Sequence, residues 1–487
     1  MGGLFYNNIK AMYDQVSYLV KVKGGYLDPI SSRIGLKQGG VLSPLLFNIY
    51  IDDIKDIFDS SCCPIDLFEN PLSHLLYADD LNLMSTSNAG LTNCLEKLGD
   101  YCKLWHLEIN VKKSKVIIFN TTGKVLSGQS FFVKGIPLDA VQTYCYLGID
   151  ITASGSFRTA RSNLMDKANK AMFPLRSTIA QFSIPCKNSL YLFHSLVRPI
   201  ALYCSEIWNC LTVPQINALE HNGKNIFQVM ASSDIGIIHQ KFLKYVLGVN
   251  KSCVNSAIFG ELGEYPLMIY GFVSLLKFWH RTANLTTDLL VRQALTVQTD
   301  LAQSEWMSTV KFLLGHIGLS MHFENPQMVK TEAFAKLCQV KLKDMFIKQW
   351  RHNIANTGKL RFYRLFKTEF RREQYIDNIP NFQLRRCVTK FRCSDHRLEI
   401  ETGRHRNVPA LNRFCASCVT KVETEEHFLR WCPKYKDLRH RYFGSPRCFL
   451  DWRQILKCEN KTSAYKLSNY ITKALVLRNK GISRETI

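Results

Sequence analysis

No stretch of this 487-residue chain reaches the roughly 18 uncharged apolar residues that a membrane-crossing helix requires. The most apolar candidate, Leu190 to Cys204, is short and is interrupted by His194, Arg198 and Pro199. The start, Met1-Gly-Gly-Leu-Phe-Tyr-Asn-Asn, lacks a basic segment followed by an apolar one, so no signal peptide is expected. Acidic residues are also scarce, at 40 against 63 lysines and arginines, which leaves a net charge of +23. That deficit calls for a polyanionic partner, either nucleic acid or an acidic membrane surface. With nothing favouring the membrane, nucleic acid is the better reading, for an intracellular protein of nucleus or cytoplasm. A secreted disulfide framework is not expected either. The 17 cysteines are odd in number and scattered, and read as reduced thiols, most of them core filler. A 46% hydrophobic content argues against disorder, and the length allows two to four domains.

What is present begins with helical spacing of Phe5, Ile9, Met12 and Val16, closed by Gly24-Gly25. Next comes Gly35-Leu-Lys-Gln-Gly-Gly-Val-Leu-Ser-Pro44. Ser43 suits a helix N-cap and Pro44 the first helical position, and Leu46, Ile49, Tyr50 and Ile54 continue the helix. Gly39 and Gly40 allow close backbone approach or positive φ; alone, they also suit an ordinary glycine turn. Leu75-Leu-Tyr-Ala-Asp-Asp-Leu-Asn-Leu-Met84 is two short apolar runs broken by two acids, which predicts a β-hairpin with Asp79-Asp80 at its turn. Aspartate often occupies turns for local hydrogen bonding. Two carboxylates at one tip can also hold divalent cations, as nucleotidyl transfer demands. A helix follows, with Leu91, Leu95, Leu98, Cys102 and Trp105 on one face. Then come Asn110-Val-Lys-Lys-Ser-Lys115, a strand over 116–119 and a second hairpin over 144–151.

Gln38-Gly-Gly-Val-Leu-Ser-Pro44, Tyr77-Ala-Asp-Asp80, Asn110-x-x-Lys113-Ser-Lys and Tyr146-Leu-Gly-Ile149 occur in that order. Together they resemble successive motifs of reverse transcriptases, in the form found in non-LTR (LINE-type) retrotransposons. The resemblance covers roughly residues 5–150 and assigns roles. It makes Asp79 and Asp80 catalytic ligands of Mg²⁺, and puts Tyr77 and Ala78 at the primer end. It lays Gln38 and Gly39 under the template base and incoming nucleotide. It sets Lys113 near the triphosphate as a candidate general acid, and makes Tyr146, Leu147 and Gly148 part of a primer grip.

Surrounding two metal ions takes a third carboxylate from a neighbouring strand. In the family it belongs to an Asp-bearing segment before the Gln-Gly loop. Asp14, Asp28, Asp52 and Asp53 do not match that pattern. The expectation is therefore a truncated palm, without its fingers or an upstream endonuclease, that cannot extend a primer by itself.

Residues 158–335 read as helical. Leu190, Phe193 and Val197 share a face, and Glu206-Ile-Trp208 resembles the family's thumb. A generic helical domain fits the composition equally well. Residues 341–413 hold 18 lysines and arginines against 7 acids, interleaved with Trp350, Phe362, Tyr363, Phe366, Phe370 and Tyr375. Cations for phosphate with rings for bases is the single-strand-binding recipe; an amphipathic helix with a solvated basic face is the alternative. Cys415, Cys418, His427 and Cys432 follow in the spacing C-x2-C-x8-H-x4-C. Three thiolates and one imidazole suit a closed, structural Zn²⁺ site. Glu423-Thr-Glu-x-His-Phe-x-x-x-Cys-Pro-x-Tyr435 around it resembles the zinc knuckle that closes many LINE-type polyproteins.

The expected fold is α+β: a truncated palm (1–155), a helical thumb (156–335), a basic nucleic-acid-binding segment (336–412), a CCHC knuckle (413–443) and a helical tail (444–487). The expected activity is RNA-directed DNA synthesis from dNTPs on an RNA template and a DNA primer or target. The alternative is a remnant that binds nucleic acid without catalysis.

Overall fold

The computed structural model describes residues 3–14, 16–32, 35–67, 70–126, 128–301, 304–444 and 452–482. Of the expected tail, residues 445–451 and 483–487 lie outside the described residues. The chain divides into two compact units, one of residues 1–145 and 151–156, the other of 146–150 and 157–487. Mixed helix and strand in the first and helices in the second make the whole α+β. Among the described residues, no helix is long and apolar enough to cross a membrane. The described cysteines are all free thiols.

The first unit is built from small sheets. Its opening helix, Gly3–Asp14, buries no residue, and it ends before Val16, which belongs to a strand instead. The run Val16–Tyr18 pairs with Ile30–Ser32, enclosing a hairpin turned at Lys23-Gly24. Gly24 has φ +107°, a conformation that side chains other than glycine resist, so it turns a hairpin whose returning strand starts at Gly25, and the glycine pair does not close a helix. The helix Asn88–Leu104 is the unit's organiser. Ser87 caps it by accepting from the Gly90 amide at 3.0 Å, and Leu95, Leu98, Tyr101 and Cys102 are buried on one side. Leu95 packs with Val116, Phe131, Val133 and Leu138 of a three-stranded sheet, and Leu98 with Ile54, Tyr101 and Cys102. The strand expected over 116–119 is shorter, Lys115–Val116, paired parallel with Ile136–Ala140.

The second unit is a helical body around one continuous core that runs from Leu164 to Ala474. Leu190, Phe193 and Val197 are all buried, as their shared face predicts. Pro199 begins a separate short helix, Arg198–Ala201, because a proline cannot continue the preceding hydrogen-bond ladder. The helix Leu267–Ala283 packs on Thr331–Asn356, and the C-terminal helix Lys461–Ile482 packs on Phe382–Arg392.

The basic segment departs from its reading. Trp350, Phe362, Tyr363, Phe366 and Tyr375 are buried core residues, and Phe370 packs partly buried against them. Rings committed to the core cannot stack on bases. Part of the charge is internal too. Arg392 is fully buried, with two nitrogens on Glu261 at 2.9 Å each and a third contact to Glu373 at 2.6 Å, while Lys367 also reaches Glu373. The Arg392 guanidinium lies over the Phe366 and Tyr375 rings. This segment is mostly the wall of the helical body.

Candidate active site and metal centre

In the first unit, His74–Tyr77 pairs antiparallel with Asp80–Leu83, Tyr77 opposite Asp80. Ala78 and Asp79 form the two-residue turn, and Ala78 takes the left-handed φ of 53° that such a turn requires. Asp80 is therefore the first residue of the returning strand, and both carboxylates are exposed at the tip. Strand alternation explains the aim. Leu81 and Leu83 pack on the cluster around Leu98 and Tyr101, anchoring the hairpin, while Tyr77 at its end stands largely in solvent. Among the described residues, no third acidic group lies close enough to share one ion with this pair.

The Gln38-Gly39 loop is tight. Gly39 has φ +77°, and the Gly40 amide donates to the Lys37 carbonyl at 3.0 Å. A Cβ at Gly40 would come within 2.7 Å of Ser43 Oγ and 3.1 Å of that same carbonyl, so a side chain there would displace the Ser43 hydroxyl. Ser43 is not the N-cap. Leu42 is, in a helical conformation without side-chain capping, and the Ser43 hydroxyl turns back to donate to the Lys37 carbonyl at 2.6 Å. It pins the loop and not the helix end. The helix stops at Tyr50, and Asp52 and Asp53 lie in a following 3₁₀ turn, Asp52–Ile57. Tyr101 donates to Asp53 at 2.5 Å, which gives that acid a structural duty. Lys113 is exposed on a turn closed by its own amide, which donates to the Asn110 carbonyl and side chain.

The Leu147-Gly148 turn lies in the second unit; the division between the units runs through its hairpin, Thr143–Tyr146 with Ile149–Thr152. Both turn residues have positive φ, 48° and 84°. The Tyr203 hydroxyl donates to the Leu147 carbonyl at 2.8 Å, and its ring would sit 3.2 Å from a Cβ at Gly148. Sequence reading placed Tyr203 on a helical stretch without this role, because its partner is 56 residues away.

Cys415, Cys418, His427 and Cys432 converge, with their ligand atoms all within 4.8 Å of one another. Cys415 Sγ and Cys432 Sγ are 3.9 Å apart, and Cys418 Sγ is 3.3 Å from His427 Nε2. A tetrahedron with metal–sulfur bonds of ~2.3 Å has edges of roughly 3.8 Å. The donor set and its spacing fit a structural Zn²⁺ ion. Local backbone does the positioning. The Cys415 amide donates to Lys421 O at 2.8 Å to close the loop carrying the first two thiols. His427 and Cys432 bracket a wide turn, in which the Cys432 amide donates to the His427 carbonyl. The hydrogen bond to Cys432 holds the Cys415 thiol well below its ordinary range, which favours one thiolate.

The motif acids between Cys418 and His427 are structural. Glu423 is gripped by two nitrogens of Arg478 at 2.7 Å each. Glu425 accepts from Arg361 at 2.8 Å and sits 3.1 Å from His396 Nε2. Tyr470 donates to the Phe428 carbonyl at 2.8 Å. The cysteine–histidine centre is thus fastened to the long body of the unit from several sides.

Residues 6–151 match the family model described as reverse transcriptase (RNA-dependent DNA polymerase). The chain is 28% identical over 230 residues to a probable RNA-directed DNA polymerase from transposon BS of Drosophila melanogaster, covering 44% of this chain and 24% of the relative. It is 23% identical over 224 residues to the RNA-directed DNA polymerase from mobile element jockey of the same fly, covering 43% and 23%. A Pol polyprotein from the type-2 retrotransposable element R2DM, also of Drosophila melanogaster, is 33% identical over 132 residues, covering 26% and 12%. The chain thus spans at most about a quarter of the length of these relatives. Residues 6–151 are a reverse-transcriptase domain, homologous to those of the RNA-directed DNA polymerases of retrotransposable elements.

Proposed function

We propose that this chain supplies the palm tip, primer grip, thumb and a zinc-bound module to an RNA-directed DNA polymerase of a non-LTR retrotransposon. The observation that carries this reading is the exposed two-residue turn that presents Asp79 and Asp80 side by side at the end of an anchored hairpin. Magnesium held there would neutralise the triphosphate and raise the acidity of the primer 3′ hydroxyl. The chain's own residues do the positioning. Tyr77, largely exposed beside the acids, borders the primer end, and the closely turned Gln38-Gly39 backbone underlies the template base and the incoming dNTP. Lys113, free to move on its exposed turn, meets the triphosphate. The Tyr146-Leu147-Gly148 turn, braced by Tyr203, holds the primer strand. Template RNA and primer DNA are engaged through their backbones by the exposed cations of an excess of +23, which makes binding salt-sensitive.

Because no third carboxylate accompanies the pair among the described residues, synthesis is proposed to need an acid from additional polypeptide. Primer extension by the purified chain, alone and with the upstream region of a related element in trans, tests this. The expected result is synthesis only in the mixture, abolished by Asp79→Ala, with folding intact because the side chain is exposed. Synthesis by the chain alone would overturn the requirement. Tight, salt-sensitive binding with no synthesis in either case would instead support a binding remnant.

A further inference from the structure

In the second unit several cations grip a carboxylate: Arg392 holds Glu261, Arg361 holds Glu425 and Arg478 holds Glu423. One place in that unit is built differently. The helix Asp234–Leu247 ends at Gly248, which takes a left-handed φ of 68°, and a short loop leads to the next helix, Asn255–Leu262. Three cations from three separate elements close on that loop. Lys244 Nζ donates to the Lys251 carbonyl at 2.6 Å, Lys359 Nζ to the Ser252 carbonyl at 3.4 Å, and Arg386 Nε to the Gly248 carbonyl at 2.9 Å. Lys251 adds a fourth charge, exposed on the loop itself.

These contacts leave the charge standing. A backbone carbonyl accepts a hydrogen bond but carries no net charge, and among the described residues none of the four cations has a carboxylate within ion-pairing distance. The one carboxylate whose charge acts on Lys244 is that of Asp395. It is taken up in shaping the loop, accepting from the Asn250 amide at 2.8 Å and from the Asn250 side chain at 3.0 Å. Burial pushes the Lys244 ammonium below its ordinary 10.5, and the nearby Lys359 charge pushes the same way. A lysine at a helix C-terminus is ordinary, since the last carbonyls attract it. That accounts for Lys244, but not for Lys359 and Arg386, which reach the loop across 107 and 138 residues of sequence.

A ring completes the patch. Phe382 is 41% exposed, unlike the buried rings of the same basic segment. A Cβ at Gly248 would come to 2.9 Å from both Phe382 Cζ and Arg386 Cγ, so the ring and the arginine stem pack on the loop side by side. A gathering of cations without carboxylates calls for an anion. The exposed ring narrows the choice. A free phosphate or an acidic peptide uses the charge alone, whereas a nucleic-acid strand also offers base faces to an aromatic side chain. We infer that the loop Gly248–Ser252 is a docking site for a single-stranded segment of RNA or DNA, its phosphates on Lys244, Lys359 and Arg386 and an unpaired base on Phe382. The inference rests on the nucleic-acid reading of the charge excess, and not on the chemistry of the Asp79-Asp80 hairpin.

The full chain is the material for the test. Fluorescence anisotropy with labelled oligouridylate and oligodeoxythymidylate, read across a salt series, measures binding, with polyglutamate as the competing polyanion. Lys244→Gln, Lys359→Gln and Arg386→Gln should each lower the slope of log affinity against log salt by about 0.7, the share of one phosphate contact on a single strand. Phe382→Ala should weaken binding about fivefold or more and leave that slope unchanged. Photocrosslinking with 4-thiouridine or 4-thiothymidine in the strand should place adducts within 244–252 or 382–386, and the strand that crosslinks better identifies RNA or DNA as the source. Arg386 is partly buried, so its variant is checked by circular dichroism; should it misfold, the wild-type crosslinks still decide. Unchanged slopes in the charge variants, or adducts only elsewhere, would overturn the inference. So would displacement of the strand by polyglutamate with Phe382→Ala without effect, which would assign an acidic polypeptide. A wild-type chain that binds neither strand would sink the nucleic-acid reading itself. Asp79→Ala should alter none of these results, so the polymerase proposal fails or stands separately.

Discussion

The two units solve opposite problems. In the first, the opening helix buries nothing, and Phe5, Tyr18, Val20, Tyr26, Ile30 and Val41 are all exposed. Its buried clusters are a few residues each, gathered about the helix Asn88–Leu104. In the second, one apolar core joins helices more than 300 residues apart in sequence, from Leu164 to Ala474, and even charged groups are taken inside as pairs. The motifs that specify chemistry lie mostly where packing is thin, and the stability lies where sequence motifs are few. The open tip suits the admission of template, primer and nucleotide proposed for it, and the rigid body suits the proposed hold on a duplex.

The sharpest way to break that comparison is to remove the metal expected at the cysteine–histidine centre. Freshly purified, reduced protein should carry one zinc per chain by elemental analysis. Chelation should unfold roughly 413–443, since comparable small sites draw about 10–16 kcal/mol of apparent binding energy from zinc. It should also loosen the C-terminal helix, because Arg478 and Tyr470 are anchored on Glu423 and Phe428. Hydrogen exchange would show the helix Asn88–Leu104 unaffected. A zinc-free preparation with unchanged melting would remove the claim.

A smaller but diagnostic effect is expected from Arg392→Met. Burial alone would raise the Glu261 carboxyl, but the Arg392 charge and hydrogen bonds reverse this and hold it below its ordinary value of 4.5. In the wild type, Glu261 therefore contributes stability that is full above 4.5 and is lost as pH falls below it. Without Arg392 the cost of burial prevails, the folded carboxyl titrates above its unfolded value, and stability is lost as pH rises. Unfolding in denaturant at several pH values should show a loss of about 3–5 kcal/mol at neutral pH and an inverted pH slope. An unchanged slope would mean that Lys367 and Tyr375 suffice to hold the charge.

The order of these residues in sequence explains what could be read in advance. The Asp79-Asp80 hairpin and the cysteine–histidine set were legible because each is short-range: alternation and turn chemistry in one, ligand spacing in the other. The α+β class followed from the same local patterns. What escaped was non-local. Nothing near Arg392 announces Glu261, 131 residues away, so a buried ion pair looked like a nucleic-acid-binding charge. The rings between those charges have the composition of a stacking surface, and only their neighbours across the core reveal otherwise. Glu423 and Glu425 were noticed as motif members, but their arginines, Arg478 and Arg361, were not. Ser43 was misplaced for a subtler reason, since a serine hydroxyl at a helix start can accept from a helix amide or donate to a nearby carbonyl, and here it donates to Lys37. The cations gathered on the loop after Gly248 have no sequence signature at all, with Arg386 138 residues from the carbonyl it meets.

The mildest perturbation concerns the turn at Leu147. A non-glycine residue at φ 48° costs roughly 1–2 kcal/mol, and the Tyr203 hydroxyl is the contact that holds its carbonyl in place. Tyr203→Phe keeps the ring against Gly148 and removes the hydroxyl that makes that hydrogen bond. The carbonyl lies on an exposed turn and can turn to water, so the expected loss is about 1 kcal/mol or less, a shift of about 2–4 °C at most in the melting of the second unit. Leu147→Gly should recover the loss, because glycine accepts the same φ without strain. A double variant as stable as the wild type, yet still weaker in primer binding, would separate the grip's geometry from its stability. Recovery of both together would mean that Tyr203 acts only by relieving the turn.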